Sequence, residues 1–463
     1  FFSYLMAGLH LWGVSIFAST LFGFDLRLTI VGLGAVVVLY STIGGSWSVM
    51  ATDFIQTLIL IPLTIVVTIL ALGKVGGFGG MLTRMQAMGL ERHLDFIESG
   101  PAAKFTLVYI MAICIKQVMV YNGLNNAPKY FSVKDGTEAR KAAILSGVLM
   151  LAGSLFWFVP PIVARLLYAD IVESVPLKNP SEAAYAVTSV QLLPAGLVGL
   201  MAVAMLAATM SSMDSSLNRN AAVFTRDIVK GLLFKDISER RQFVIGQLFT
   251  LVCGAIVIGL SLYFATVGGK GIFDMMMRIG GLVAIPKLVP MLWALFVKRA
   301  PRWSALASAG AGFTMSVIAT VLEWQFPTII FTNFGVGTAV FFTVSYLFPA
   351  RGAYREQVDA FFSRMYRPVD FEREVGAAVD LAQLRIIGAT ALLIAVLLLG
   401  LLALPGTYDR WPIVFVAAFI GLVGAGFVAT SFREPRTPAG AAAPEPAAGI
   451  PVEMSEAVQG EHA

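Results

Sequence analysis

Hydroxyl and carboxylate side chains are concentrated at one end of an apolar stretch that begins near Leu192. Ser211, Asp214 and Ser215 are spaced at i, i+3 and i+4, so they share one face of a helix. Ser212 points about 100° away from that face. Hydroxyl and carboxylate oxygens can replace the hydration shell of a small hard cation such as Na⁺. Because polar groups inside hydrocarbon are costly, the stretch predicts an ion or substrate pathway.

A second carboxylate, Asp53, lies at the start of another apolar run. The loop charges described below place that end of the run at the cytoplasmic side, level with Asp214. Two buried carboxylates and several hydroxyls are therefore expected to lie close together. An alternative fits the same residues: the serines bond to carbonyls of their own helix, and Asp53 caps its helix as an N-terminal acid.

The run KQVMVYNGLNNAP at 116–128 combines amide side chains with Gly and Pro inside a membrane-length segment. A helix that breaks there frees backbone groups and points its end at a bound solute. The run therefore predicts a solute site that includes Gln117, Tyr121, Asn122 and Asn125. The alternative is a Pro-terminated helix whose polar end lies at the membrane interface.

Three cations, Lys116, Arg278 and Lys287, also interrupt apolar runs. A cation at the centre of a membrane helix costs about 3 kcal/mol unless it is paired or reaches the interface. Arg278 could bind a solute carboxylate through two parallel hydrogen bonds. An ion pair with Asp274, one turn earlier, is the favoured interpretation. The three cations still leave an anionic solute open.

The composition requires membrane spans to carry these residues. Hydrophobic residues make up 57% of the chain and charged residues 13%, with a mean hydropathy of +0.80, which predicts an all-α polytopic membrane protein. The two cysteines and three histidines have no metal-ligand or catalytic spacing, so an enzyme is not expected. Twelve spans are predicted at 1–22, 25–43, 52–74, 105–126, 142–168, 191–215, 242–266, 272–297, 304–322, 328–348, 383–404 and 411–432.

Basic residues are concentrated in alternate connections, at 129–141, 216–241, 298–302 and 351–373. The positive-inside rule makes these segments cytoplasmic, so the net charge of +5 orients the protein rather than binding nucleic acid. The same count places 44–51 inside and 75–104 outside. Short amphipathic helices are expected at 226–241 and 354–374. Residues 1–432 form the predicted transmembrane domain, and 433–463 form a disordered cytoplasmic tail.

Three segments carry a family resemblance. The segment YSTIGGSWSVMATDFIQ at 40–56 resembles a signature of the sodium:solute symporter family, which includes sodium/glucose and sodium/proline cotransporters. The segment AATMSSMDSSLNRNAAVFTRD at 207–227 resembles the second signature, and KYFSVKDGTEARK at 129–141 is similar to a cytoplasmic loop of the family. The matches extend over most of residues 1–300.

The resemblance implies a leucine-transporter-type fold, with two inverted repeats of five helices around a site at the membrane midplane. By position, spans 52–74, 105–126, 191–215 and 272–297 would be core helices five, six, eight and ten. Core helices one and two would then be missing. Since the chain begins with Phe1 inside an apolar run, an N-terminal truncation is expected.

The resemblance also implies two sodium sites. The principal one would use the positions of Ala208, Ser211 and Ser212, together with backbone carbonyls of the missing helix one. A second site, found in some members, would use Asp53, Ser211, Asp214 and Ser215. Family members commonly have a hydroxyl or small residue at position 214, so the acid found here could admit a proton.

The resemblance further places Tyr121 and Asn122 on the solute-facing part of core helix six. Sugar carriers usually have an aromatic residue at the position of Asn125, so sugar stacking there is in doubt. Arg278 lies close to the position where relatives contact sugar.

The sequence therefore predicts a symporter that couples Na⁺ to a small organic solute, sugar-like or an organic anion, by alternating access. Its partners would be the solute, Na⁺ and the lipid bilayer of the cell (inner) membrane, and not nucleic acid. Two alternatives remain open: a proton-coupled carrier, which Asp214 suggests, and a non-transporting membrane sensor or remnant.

Overall fold

The computed structural model describes residues 2–90, 97–98, 103–121, 136–267, 271–366, 381–403 and 410–432. Side chains within these ranges are described except at 43–53, 121, 195, 210, 215 and 381–383. The described residues form helices and connections and contain no strand, which confirms the all-α prediction.

The first eight helices are α1 Phe2–Phe22, α2 Leu26–Val75, α3 Gly77–Ala87, α4 Leu107–Tyr121, α5 Gly136–Leu167, α6 Ala169–Glu173, α7 Ala184–Leu192 and α8 Ala195–Val223. The next eight are α9 Glu239–Val267, α10 Gly271–Ile279, α11 Ile285–Ala294, α12 Ser304–Val321, α13 Phe326–Leu347, α14 Gly352–Met365, α15 Leu381–Gly400 and α16 Trp411–Ser431. Short 3₁₀ turns occur at Pro180–Ala183 and Leu401–Ala403, and π-helical segments at Phe224–Leu233 and Gly280–Ala284.

Ten helical segments of the described chain are long and apolar enough to cross a membrane. Two shorter apolar segments, Leu26–Thr42 and Leu107–Val120, account for the two remaining predicted spans. Each of the twelve predicted spans therefore has a helical counterpart.

Two predicted connections are helical instead. The expected loop at 44–51 lies within α2, where Gly44 and Gly45 weaken a helix but, unlike proline, keep its backbone donors. The expected end of the span at Ser215 is also wrong, because α8 runs to Val223 and then continues as the π-helical segment to Leu233. No Gly or Pro lies between Ser215 and Lys230 to stop it.

That continuation replaces the separate amphipathic helix expected at 226–241. The second amphipathic helix is confirmed over Gly352–Met365, whereas 367–380 lies outside the described residues. The tail at 433–463 lies outside them as well.

The first half of α2 packs with α1, α8 and α9 around a buried core. Leu11, Ile30, Met213 and Val257 of this core are fully buried. The second half, Phe54–Val75, packs instead against α5, α8 and α16. Both halves of α2 thus meet the helix that carries the hydroxyl-rich stretch.

Helices α4, α11 and α13 form a second core. Ala112 of α4, Ile285 and Val289 of α11 and Ile330 of α13 are fully buried within it. This core surrounds the segment that joins α10 to α11.

The connection between α5 and α8 contacts the start of α10 through two hydrogen bonds. Glu182 Oε1 accepts a 2.6 Å hydrogen bond from the backbone N–H of Ile272, and Lys178 Nζ donates to the carbonyl of Thr266. Acceptors at a helix N-terminus satisfy donors that have no partner within the helix. Burial is the main influence on Glu182 and raises its pKa, although the hydrogen bonds from Ile272 and Asn179 oppose it.

Helices α2 and α9 approach closely at Gly254. A Cβ atom there would lie 2.3 Å from Cγ2 of Val38, a buried β-branched side chain. Gly254→Ala is therefore expected to destabilise the fold by about 1–3 kcal/mol through overpacking. Gly259→Ala is the matched control in the same helix, because a Cβ atom there meets nothing within 4 Å. It should stabilise the helix by about 1 kcal/mol. Equal thermal unfolding midpoints of the two variants in detergent would contradict the close contact.

The raised pKa of Glu182 predicts a pH dependence of stability. A carboxyl whose pKa is higher in the folded state favours the fold below its unfolded pKa, and that contribution is lost as the pH rises through the folded pKa. Glu182→Gln keeps an acceptor for Ile272 but cannot ionise. The variant should match the unmodified chain near pH 4 and unfold at a higher temperature near pH 8. A constant difference between the two melting curves across this range would count against burial as the dominant cause.

Candidate functional site

The hydroxyl-rich stretch lies on α8, as expected. Ala208 and Ser211 are half-buried, Ser212 is exposed, and the side chain of Asp214 is only 1% exposed. Ser215 belongs to the same helix, but its side chain is not described. The structure thus brings five predicted positions together on one helix and buries the acid among them.

Asp214 is held by a residue that the sequence-based prediction missed. Asn218 Nδ2 donates a 2.6 Å hydrogen bond to Asp214 Oδ1. Met213 and Leu217, on the adjacent face, are fully buried in the core with α1 and α9. A buried carboxylate needs such a donor. The signal in the sequence was the i, i+4 spacing of Asp214 and Asn218.

Asp53 lies on α2, but its side chain is outside the described set. The ring of the next residue, Phe54, meets that of Phe427 edge-on at 5.0 Å between centroids. Helices α2 and α8 pack against each other. A shared level of the Asp53 and Asp214 carboxylates stays a prediction.

A polar cavity of about 400 Å³ lies beside Asn218, between α2, α8 and α9. Gln247 Nε2 donates to the carbonyl of Thr42 at 3.1 Å. Ser41 is 3% exposed, and its hydroxyl has no hydrogen-bond partner among the described residues. The lining of the cavity therefore places polar side chains next to Asn218, which donates to Asp214. The lone amide of Gln247 in an apolar run was the sequence signal for it.

Most of the predicted solute site is not described. Gln117 is half-buried on α4, and Tyr121 is the last residue of that helix. Asn122 and Asn125, together with the Tyr121 side chain, lie outside the described set. The described lining of the cavity that contains Arg278 does not include Gln117.

Arg278 lines a cavity of about 510 Å³ between the start of α4, the end of α10 and the start of α13. The favoured pairing of Arg278 with Asp274 is wrong, because Lys104 Nζ binds both carboxylate oxygens of Asp274, at 2.8 and 2.9 Å. Lys104 reaches Asp274 from the start of α4. Arg278 forms no ion pair with any described residue.

Lys116 is the most buried cation of the described chain, at 6% exposure. Its Nζ atom lies 3.5 Å from the thioether of Met277. A Cβ atom on Gly280 would lie 2.5 Å from the lysine Cε. No described carboxylate pairs with it, so it is a candidate functional residue.

The span of Lys287 is interrupted by the π-helical segment Gly280–Ala284, which the sequence-based prediction missed. Asn333 Nδ2 donates to the carbonyl of Gly281 at 3.0 Å, and Ser316 Oγ donates to that of Leu282 at 2.7 Å. Helix breaks inside membranes persist where neighbouring helices satisfy the freed backbone groups. Gly280 and Gly281 within an apolar run were the sequence signal.

The sodium:solute symporter family matches residues 1–312 of this chain. Sodium/glucose cotransporter 4 of Danio rerio is 27% identical over 349 residues, which are 68% of this chain and 51% of that protein. Sodium/mannose cotransporter SLC5A10 of Bos taurus is 26% identical over 355 residues, which are 69% and 58% of the two chains. Sodium/glucose cotransporter 1 of Ovis aries is 27% identical over 358 residues, which are 68% and 52%. The chain spans about half the length of the curated relatives it matches.

A solved structure has a similar fold: the substrate-bound outward-open state of a Na⁺-coupled sialic acid symporter, which has a novel Na⁺ site. The TM-score is 0.57 at 20% identity, over 76% of this chain and 75% of that one. The fold prediction is thereby confirmed as an all-α polytopic membrane protein of the leucine-transporter type.

The hydrogen bond to Asp214 can be tested by stability alone. Asn218→Leu removes the donor to Oδ1 and is expected to destabilise the fold by about 1–3 kcal/mol. Asn220→Leu is the matched control on α8, because Asn220 Nδ2 is buried without an acceptor among the described residues. That change should be neutral or stabilising. Equal losses in the thermal unfolding midpoint for both variants would show that Asn218 has no special role.

Proposed function

The chain belongs to the sodium:solute symporter family, and from that premise we propose that it couples Na⁺ entry to uptake of a small organic solute by alternating access. The matched relatives are cotransporters rather than enzymes. The chain is a multi-pass membrane protein. We place it in the cell (inner) membrane with its C-terminal tail in the cytoplasm, as the basic connections suggest.

One observation carries this proposal: a buried carboxylate, Asp214, is held by Asn218 beside a polar cavity, on the helix that carries Ser211 and Ser212. Oxygen ligands of this kind suit Na⁺ and do not suit a redox metal. The solved symporter with a similar fold is described as Na⁺-coupled.

We assign Na⁺ to two sites on this helix. The principal site would use Ala208, Ser211 and Ser212, and the second would use Asp53, Ser211, Asp214 and Ser215. Ser211 belongs to both sets, so occupancy of one site would influence the other. The solute site would combine Gln117, Tyr121, Asn122, Asn125 and Arg278.

Coupling requires Na⁺ to bind one conformation better than the other, since a ligand shifts an equilibrium only by its differential affinity. Each half of α2 packs against α8, and α8 in turn contacts α1 and α9. An ion on α8 would therefore favour one arrangement of these helices. The interruption between α10 and α11 supplies a second element that can bend.

A proton-coupled carrier is the second candidate, and the burial of Asp214 favours it. A carboxylate that is 1% exposed can release or bind a proton as its surroundings change between two states. Whether Na⁺ or a proton occupies this position decides between the two functions.

Asp53→Asn and Ser212→Ala are each expected to lower Na⁺-dependent uptake at least tenfold, because the first removes the negative charge that attracts Na⁺ and the second removes a hydroxyl ligand. Uptake of labelled glucose, mannose and sialic acid into vesicles containing the full chain, with and without a Na⁺ gradient, measures the effect. Ser216→Ala is the control, since within the described part of the chain its hydroxyl bonds to the carbonyl of Ser212 in its own helix and to no other residue. Unchanged sodium activation in both test variants would remove the assignment.

Asp214→Asn separates the two coupling ions. If a proton is the coupling ion, uptake in the unmodified chain is driven by a pH gradient without Na⁺, and this variant abolishes it. If Na⁺ is the coupling ion, a pH gradient alone drives no uptake, and the variant raises the Na⁺ concentration needed for half-maximal uptake. The second result is the one we expect.

A further inference from the structure

A cavity of about 790 Å³ lies between α1, α8, α12 and the segment that joins α10 to α11. Two of its lining residues are the cations Arg219 and Lys287, and its described lining contains no acid. Phe2, Val283 and Phe313 are among its apolar lining residues. It is therefore a positively charged space with apolar walls.

The donors of this cavity have few partners within the described chain. Arg219 forms no ion pair with a described residue. Lys287 Nζ lies 5.3 Å from the centre of the Phe2 ring, which compensates an ammonium only in part. Arg219 is exposed and Lys287 is half-buried, so both charges can reach an anion that enters the cavity, and no described acid neutralises either of them.

The hydroxyl of Ser316 also lines the cavity but is already committed to the carbonyl of Leu282. Ser3 and Thr320 add two more hydroxyls, and that of Thr320 donates to the carbonyl of Ser316. The two cations are therefore the strongest donors that the cavity offers a ligand. A neutral polyol presents hydroxyls that need acceptors as well as donors, whereas a carboxylate presents acceptors alone.

Basic side chains follow the interrupted helix from one end to the other. Arg278 lines the 510 Å³ cavity at the end of α10. Lys116 contacts the next part, at Met277 and Gly280. Lys287 lines the 790 Å³ cavity on the far side of the π-helical segment. Three cations that lack a described acid partner thus lie along one membrane segment, with Lys116 of α4 contacting it between Arg278 and Lys287.

We propose that the transported solute is a small organic anion with an apolar body, whose carboxylate binds at Arg278 on one side of the π-helical segment and at Arg219 and Lys287 on the other. Lys116 lies between the two positions and favours the anion through its charge. The inference rests on the proposed function, and it departs from the sugars named for the relatives. Buried cations are costly alone and become favourable when an anion neutralises them.

The test measures binding of matched acid and amide pairs to the full chain, with propionate against propionamide and lactate against lactamide as probes. Calorimetric titration in sodium buffer should give at least tenfold tighter binding of each acid. Arg278→Gln and Lys287→Met should each reduce the acid-to-amide ratio about tenfold, since each removes a charge-assisted contact. Arg240→Gln and Lys235→Met, the same changes at exposed positions outside both cavities, should leave the ratio unchanged.

Lys116→Met adds a second readout. It should lower the acid-to-amide ratio and also raise the thermal unfolding midpoint, because it removes a buried ammonium. A residue that served only packing would not produce this combination. Retention of the full ratio in Lys116→Met together with a lower midpoint would count against its role.

Equal affinity for acids and amides would overturn the proposal, as would a ratio that survives in both cavity variants. Loss of acid binding in vesicles of phosphatidylglycerol, but not of phosphatidylcholine, would reassign the 790 Å³ cavity to a lipid headgroup and also overturn it. Sodium-driven uptake of glucose without acid selectivity would leave the symport intact and remove this inference. Acid-selective binding without any sodium effect would support this inference and contradict the proposed Na⁺ symport.

Discussion

The hydrogen bond between Asn218 and Asp214 holds a carboxylate that is 1% exposed inside the helix bundle. That bond links two properties of α8. One face, with Met213 and Leu217, joins the core, and the adjacent face carries polar groups beside a cavity. A helix that served packing alone would not keep an acid at this depth. The position of α8 between the two halves of α2 makes this polar face part of the scaffold.

The same requirement, that polar groups inside the membrane find partners, shapes the segment between α10 and α11. Asn333 and Ser316 take over the backbone carbonyls that the π-helical turn releases. The cations near this segment differ in their partners. Lys104 forms an ion pair with Asp274, whereas Arg278 and Lys116 pair with no described acid. The carbonyls of Gly281 and Leu282 are thus satisfied by neighbouring helices, whereas two cations beside them lack a described acid, which is the contrast that supports the proposed binding role of those cations.

Hydrophobicity and length were sufficient to predict the ten described segments that can cross a membrane, because bilayer thickness sets the length of a span. Their ends were harder. The helix passes through Gly44 and Gly45, and α8 continues past Ser215, since glycine and polar residues lower helix stability without stopping a helix. The placement of Ser211 and Asp214 on one helix could be predicted from their spacing. The placement of Ser41, Gln247 and Lys104 could not, because their contacts join residues far apart in the chain, which periodicity does not report.

The cap at Glu182 has a mechanical consequence. A 2.6 Å bond from an outer turn to the first residues of α10 breaks if the two separate by about 1 Å. Any rigid-body rotation that preserves the hydrogen bond from Ile272 to Glu182 must therefore move the turn Pro180–Ala183 and α10 together. While this hydrogen bond is intact, the turn that carries Glu182 and the start of α10 must belong to the same rigid body. A protein that binds the turn Pro180–Ala183 would thus directly influence the tilt of α10.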